Sequence, residues 1–107
     1  MISTHVLDTS IGVPAAGIPV KLQIKVGDEW KEIKSGLTSS DGRFSFDCEK
    51  EPGVYQIIFE IEDYLKKNSK DFFFLIAPVI FKIEDTARKC HVPLLLNPFG
   101  YSTYRGS

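Results

Sequence analysis

The sequence predicts an all-β fold: two sheets packed face to face as a β-sandwich, with one short helix. Three observations carry this expectation. Apolar residues recur at every second position in five separate runs, turn-forming residues fall between the runs, and long helical periodicity is missing.

In VKLQIKV, residues 20–26, Val20, Leu22, Ile24 and Val26 share one face, and Lys21, Gln23 and Lys25 the other. RFSFDC sets Phe44, Phe46 and Cys48 against Arg43, Ser45 and Asp47. VYQIIFEIE alternates Tyr55, Ile57, Phe59 and Ile61 with Gln56, Ile58, Glu60 and Glu62. VIFKIE contributes Val79, Phe81 and Ile83, and CHVPLLL contributes Cys90, Val92, Leu94 and Leu96. Successive side chains of a strand point to opposite faces, so each run reads as a half-buried strand. Ser40-Asp41-Gly42 and Glu51-Pro52-Gly53 are turn chemistry. IEDYLKKN, residues 61–68, is composed of helix formers and predicts about two helical turns. Seven or eight strands are expected in all. Pro93, inside a strand pattern, points to an edge or a bulge at that position.

At 107 residues the chain has the length of one domain, spanning 1–107. Hydrophobic residues at 43% and charged residues at 25% exclude a disordered chain. Thirteen basic against 14 acidic side chains leave a net charge of −1, without the basic excess that nucleic-acid binding calls for. No apolar stretch approaches the roughly 20 residues that span a bilayer, so no membrane partner is expected. MISTHVLDTS lacks the basic and apolar regions of a secretory signal, and the final RGS is not a peroxisomal address. A cytoplasmic location with Cys48 and Cys90 reduced is the expectation.

Few side chains are candidates for chemistry. His5 and His91 are the two histidines, both in strand-like contexts. Alternation turns His91 away from Cys90, Val92 and Leu94, and Arg43 away from Phe44 and Phe46. Ser102 and Tyr104 share a face near the terminus, with Tyr101 and Thr103 opposite. A water-facing strand histidine is most often plain surface, and an arginine after Asp-Gly is most often solvated. Adjacent Cys90 and His91 point to opposite faces and cannot share a metal ion on a regular strand, so no metal is expected. Both cysteines fall on apolar faces, where a thiolate is disfavoured. No phosphate-cradling glycine loop or nucleophile elbow is present. Spacing alone therefore ends at a β-sandwich with a polar face of unknown use.

Three segments extend that reading. HVLDTSIGVPAAGIPVKL at 5–22 resembles the opening strand of the transthyretin family, and TSSDGRFSF at 38–46 resembles its arginine-bearing hairpin. CHVPLLLNPFGYSTYRGS at 90–107 resembles the closing signature of the family's enzymatic branch, the 5-hydroxyisourate hydrolases. The terminal YRGS is the most specific element, because hormone-carrying transthyretins lack it. The resemblance implies a transthyretin (prealbumin)-like sandwich assembled as a homotetramer, a dimer of dimers, with sites in the channel between dimers. It implies hydrolysis of the N1–C6 amide of 5-hydroxyisourate to a carboxylated ureidoimidazoline in urate degradation, with no cofactor. His5, Arg43, His91 and Ser107 match the catalytic positions. His5, Arg43 and Tyr104 would hold the substrate, His91 would be the base, and Ser107 would orient a histidine. The alternative is a carrier of a small aromatic ligand without hydrolase activity. Two positions depart from the family pattern: Lys89, where a histidine is common, and Asn97, where serine is usual. Lys89 is expected to share a face with His91 and to lower its pKa.

Overall fold

The structure, a computed structural model, describes residues 1–107. Nine strands and one helix build two sheets. The first sheet holds β1 (Ile2–Asp8), β2 (Val13–Pro14), β5 (Arg43–Phe46), β8 (Cys90–Asn97) and β9 (Gly100–Thr103). Its order is β2-β1-β8-β9, with β5 on the same edge of β1 as β2. The second sheet runs in the order β4-β3-β6-β7, from β3 (Pro19–Val26), β4 (Glu29–Leu37), β6 (Gly53–Glu60) and β7 (Ile76–Ile83). The helix α1 covers Glu62–Asn68 and follows β6 directly. The expected two-sheet sandwich with one short helix is what the chain forms, with nine strands against the seven or eight expected, and with β1, β2, β4 and β9 lying beyond the five alternating runs.

The inward series match the sequence pattern. Ile2, Val6, Phe46, Leu94 and Leu96 of the first sheet and Val20, Leu22, Tyr55, Ile57 and Phe59 of the second meet in one core. The series in β3 ends early. Its register against β4 shifts between Leu22 and Gln23, and Val26 is exposed.

Nearly every strand pair is antiparallel, but β1 and β8 run parallel, with Ser3 opposite His91 and His5 opposite Pro93. The core locks this register. Thr4, 1% exposed, donates its hydroxyl proton to the Val92 carbonyl at 2.6 Å. Pro93 is neither on an edge strand nor in a strand bulge, because β8 lies between β1 and β9. The Pro93 carbonyl accepts from Thr103 Oγ1 at 2.7 Å, so that position faces the β9 side, and its ring stands where a donor to the tail would be. The ladder with β9 accordingly stops at Leu94–Thr103 and resumes only as a single bridge between His91 and Gly106. The irregularity falls on the neighbouring tail at residues 104–105.

Two local features set the ends of β1 and β5. Gly42, at φ +74°, makes the turn into Arg43, and its carbonyl accepts from Val6 N at 2.7 Å. A Cβ there would press to 2.4 Å from the Val6 carbonyl oxygen, so the Asp-Gly turn admits only glycine. At the far end of β1, the Asp8 carboxylate is 2% exposed and accepts from Tyr64 Oη of α1 at 2.8 Å and from Ser10 N at 3.0 Å. Burial, reinforced by Asp8, pushes the Tyr64 phenol up to about 12.

Tyr64→Phe leaves one Asp8 oxygen without its donor and is expected to lower stability by about 1–2 kcal/mol in urea unfolding at neutral pH. The folded phenol holds its proton more tightly than the unfolded one. Its contribution is therefore complete below the ordinary tyrosine value and is lost as pH climbs towards 12. The gap between native protein and variant should narrow over that interval.

Candidate active site

The outward face of the first sheet is built by alternation. Ser3 and His5 leave β1, Arg43 and Ser45 leave β5, and His91 leaves β8, each one residue away from a core side chain. Cross-strand register then sorts them into rows. His5 stands opposite Arg43 on one side and Pro93 on the other, while Ser3 stands opposite Ser45 and His91. One row thus carries guanidinium and imidazole, and the next carries two hydroxyls and a second imidazole.

His91 is the best-held polar side chain on this face. Ser3 Oγ lies 2.8 Å from its Nδ1, a hydrogen bond between residues 88 positions apart. On its other side the tail returns, and Gly106 N donates to the His91 carbonyl at 2.8 Å. Gly106 is pressed against the ring: a Cβ there would stand 2.5 Å from His91 Cδ2. The imidazole is therefore gripped between a serine hydroxyl and a bare glycine backbone. Its pKa is lowered, first by burial, then by the Arg43 guanidinium, with smaller contributions from His5 and Lys89. The expected direction of the Lys89 effect holds, but burial and Arg43 outweigh it.

A hollow of about 570 Å³ opens on this face, with Ser3, Arg43, Ser45, Lys89, His91 and Ser107 among its lining. It gathers three of the sequence-selected residues, Arg43, His91 and Ser107. His5 lies outside the lining, beside Arg43. Tyr104 lies apart, 57% exposed, on a second hollow of about 390 Å³ that also touches His91 and runs between β7 and the tail. No three His, Cys, Asp or Glu side chains converge at any point of the chain, so the face presents no metal-ligand cluster. Burial raises the pKa of the Cys48 and Cys90 thiols.

Sequence reasoning passed over Ser3 and gave Gly106 no task. Ser3 shares the outward series of His5, a signal present in ISTHV, but its contact with His91 depends on a parallel register that local sequence does not carry. Gly106 was visible only as part of YRGS.

Fold and face together define a two-sheet sandwich bearing an imidazole–guanidinium cluster, a class of site equipped for acid–base chemistry on a polar ligand. The chain belongs to the HIUase/transthyretin family, whose model matches residues 2–106. It is 44% identical over 115 residues to a 5-hydroxyisourate hydrolase of Halalkalibacterium halodurans, covering 99% of this chain and 97% of that one. Among solved structures, it is similar to Klebsiella pneumoniae 5-hydroxyisourate hydrolase, with a TM-score of 0.85, 31% identity and coverage of 99% and 98%. It is also similar to sea bream transthyretin in complex with thyroxine, with a TM-score of 0.90, 27% identity and coverage of 98% and 93%.

An NMR titration should find His91 protonating below the ordinary histidine value of about 6.5. Arg43→Gln is expected to raise that pKa more than Lys89→Gln does. Gly106→Ala should shift the His91 ring resonances strongly while lowering the free energy of unfolding by no more than about 1 kcal/mol, because the added methyl meets the ring and not the core.

Proposed function

We propose that the chain hydrolyses 5-hydroxyisourate, opening the ring at the N1–C6 amide in urate degradation. The observation that carries this reading is the half-buried imidazole of His91, held between Ser3 and Gly106 and set beside Arg43. It occurs in a chain similar from end to end to 5-hydroxyisourate hydrolases.

Attack of water on an amide carbonyl needs a base that is unprotonated at neutral pH and a donor for the oxyanion. A depressed pKa keeps His91 neutral, which suits it to the first task. In our mechanism Nδ1–H donates to Ser3 Oγ, so the Nε2 lone pair faces outward and takes a proton from water. Arg43 supplies the planar fork of donors that fits adjacent carbonyl oxygens. His5, opposite Arg43, holds the water or the ring. Ser107, lining the same hollow, orients an imidazole, and Tyr104 positions the ring. Tyr104 does not reach the Arg43 hollow within one chain, which is consistent with a site completed between subunits. We accordingly place the site in the channel of a homotetramer, a dimer of dimers. We assign the reaction to the cytoplasm, where free thiols such as Cys48 and Cys90 persist.

A carrier reading has one observation in its favour, the closer backbone match to a thyroxine-binding transthyretin. Backbone similarity does not decide function within a shared fold; the side chains of the site do. A face of imidazole, guanidinium and hydroxyl groups suits a hydrated purine derivative better than an apolar aromatic ring.

The test is ultraviolet decay of 5-hydroxyisourate generated from urate by urate oxidase. Native protein should accelerate the decay. His91→Asn and Arg43→Ala should each lower kcat/KM by about 10²-fold or more with the oligomer intact. Removal of the last four residues should have a comparable effect. With His91 as the base, kcat/KM should be flat at neutral pH and fall as acid protonates the ring below its ordinary value. No acceleration by native protein would favour the carrier.

A further inference from the structure

One end of the larger hollow has no part in the roles assigned so far. The lining of the whole hollow contains Arg43, Lys50 and Lys89 and no aspartate or glutamate side chain; Met1 and Ser107 add one terminal ammonium and one terminal carboxylate, which offset each other. In a chain with 14 acidic and 13 basic side chains, that is a local separation of charge. Asp47, next in the outward series of β5, falls outside the lining. None of the three cations is ion-paired; the salt bridges join Lys21 to Glu32, Lys66 to Glu62 and Lys82 to Glu84. Lys50 is nevertheless anchored, because its Nζ donates to the Arg88 carbonyl. An ammonium has three donors, so two remain for a ligand.

The order of these groups along the strands matters. Arg43 and His5 form one row, and Ser45, Ser3 and His91 form the next, roughly 6–7 Å further on at two residues of strand rise. Lys89 precedes His91 by two residues in the same direction, away from Arg43. His91 therefore lies between a guanidinium on one side and the lysines on the other. A heterocycle held by Arg43 with its scissile carbonyl at His91 directs that carbonyl carbon towards the lysine end.

We propose that Lys50 and Lys89 form a carboxylate subsite that receives the group created by ring opening. The inference rests on the hydrolase reading above. Water oxygen bonds to C6, the C6–N1 bond breaks, and one water proton goes to N1. The new carboxylic acid releases its own proton at neutral pH, since its ordinary pKa is near 4. The product thus carries one more negative charge than the substrate, and it arises beside an exposed Lys89 and a half-buried Lys50, neither of them ion-paired to an aspartate or glutamate.

The experiment compares two planar probes, orotate, which bears a ring carboxylate, and uracil, which does not, by calorimetric titration of the full-length protein at low salt. Orotate should bind about tenfold more tightly than uracil. The preference should fall to about twofold or less in Lys50→Gln/Lys89→Gln, fall partway in Lys89→Gln alone, and collapse in 0.5 M salt. Equal or undetectable binding of the two probes by native protein would overturn the subsite, as would a preference undiminished in the double variant. The decay assay separates the two readings. Hydrolysis without an orotate preference removes only the subsite, whereas a lysine-dependent preference without hydrolysis removes the proposed reaction.

Discussion

The parallel pairing of β1 with β8 is the constraint on which the rest of the structure depends. It joins the two ends of the chain, and it is fixed from the inside. Thr4, almost fully buried, satisfies its hydroxyl on the Val92 carbonyl, while Ile2, Val6, Leu94 and Leu96 fill the core on either side. A slip of one residue would turn Val92 and Leu94 to water and drive His91 into the core. Burial of several aliphatic side chains, each worth about 1.5–3 kcal/mol, opposes that slip. The polar face has no comparable energy of its own. Its single bond between Ser3 and His91 is half-buried and follows from a register that the opposite face dictates. Site geometry is thus inherited from apolar packing one residue away.

Pro93 adds a second, smaller constraint. Without an N–H it offers the tail no donor, and the tail leaves β8 after Thr103 and returns at Gly106. The excursion carries Tyr104 and Arg105 into the second hollow, and the return must fit against an imidazole already held by Ser3. Only a residue without Cβ can make that approach. The order Tyr-Arg-Gly-Ser after a strand is then a physical sequence: two side chains thrown outward, a bare backbone over the ring, and a polar residue beyond it.

These relations also explain how far the sequence could be read. Strands with one dry and one wet face, such as β3, β6 and β8, alternate visibly. EWKEIKSGL does not, because β4 is an edge strand exposed along most of its length and burial imposes no period on it. The helix was legible from IEDYLKKN, although it starts at Glu62 with no side-chain cap on Ile61. For the site, alternation gave the side on which each candidate lies but not which candidates meet. His5 against Arg43, and Ser3 against His91, are long-range pairings set by topology. Lys89 shows the same limit in its electrostatics. Proximity in sequence identified a charge acting on His91, yet burial and Arg43, contributed by packing and by a distant hairpin, act more strongly.

A single chain leaves this face wet, and that has consequences for its chemistry. Arg43 and Lys89 are exposed, and charges in water act on one another weakly over a few ångströms. His91 is already partly desolvated, which is why burial leads the causes of its lowered pKa. Covering the face, as in the tetrameric arrangement proposed above, would strengthen each of these interactions together. The fall in dielectric would deepen the effect of Arg43 on the imidazole and sharpen the attraction of the lysines for an anion. It would also make unpaired cations costly to enclose, unless a ligand supplied the missing negative charge. An enclosed cluster of cations with no acidic side chain is thus favourable chiefly when an anion occupies it. Assembly and ligand charge then become parts of one electrostatic balance, with the core registration of β1 and β8 keeping the imidazole at its centre.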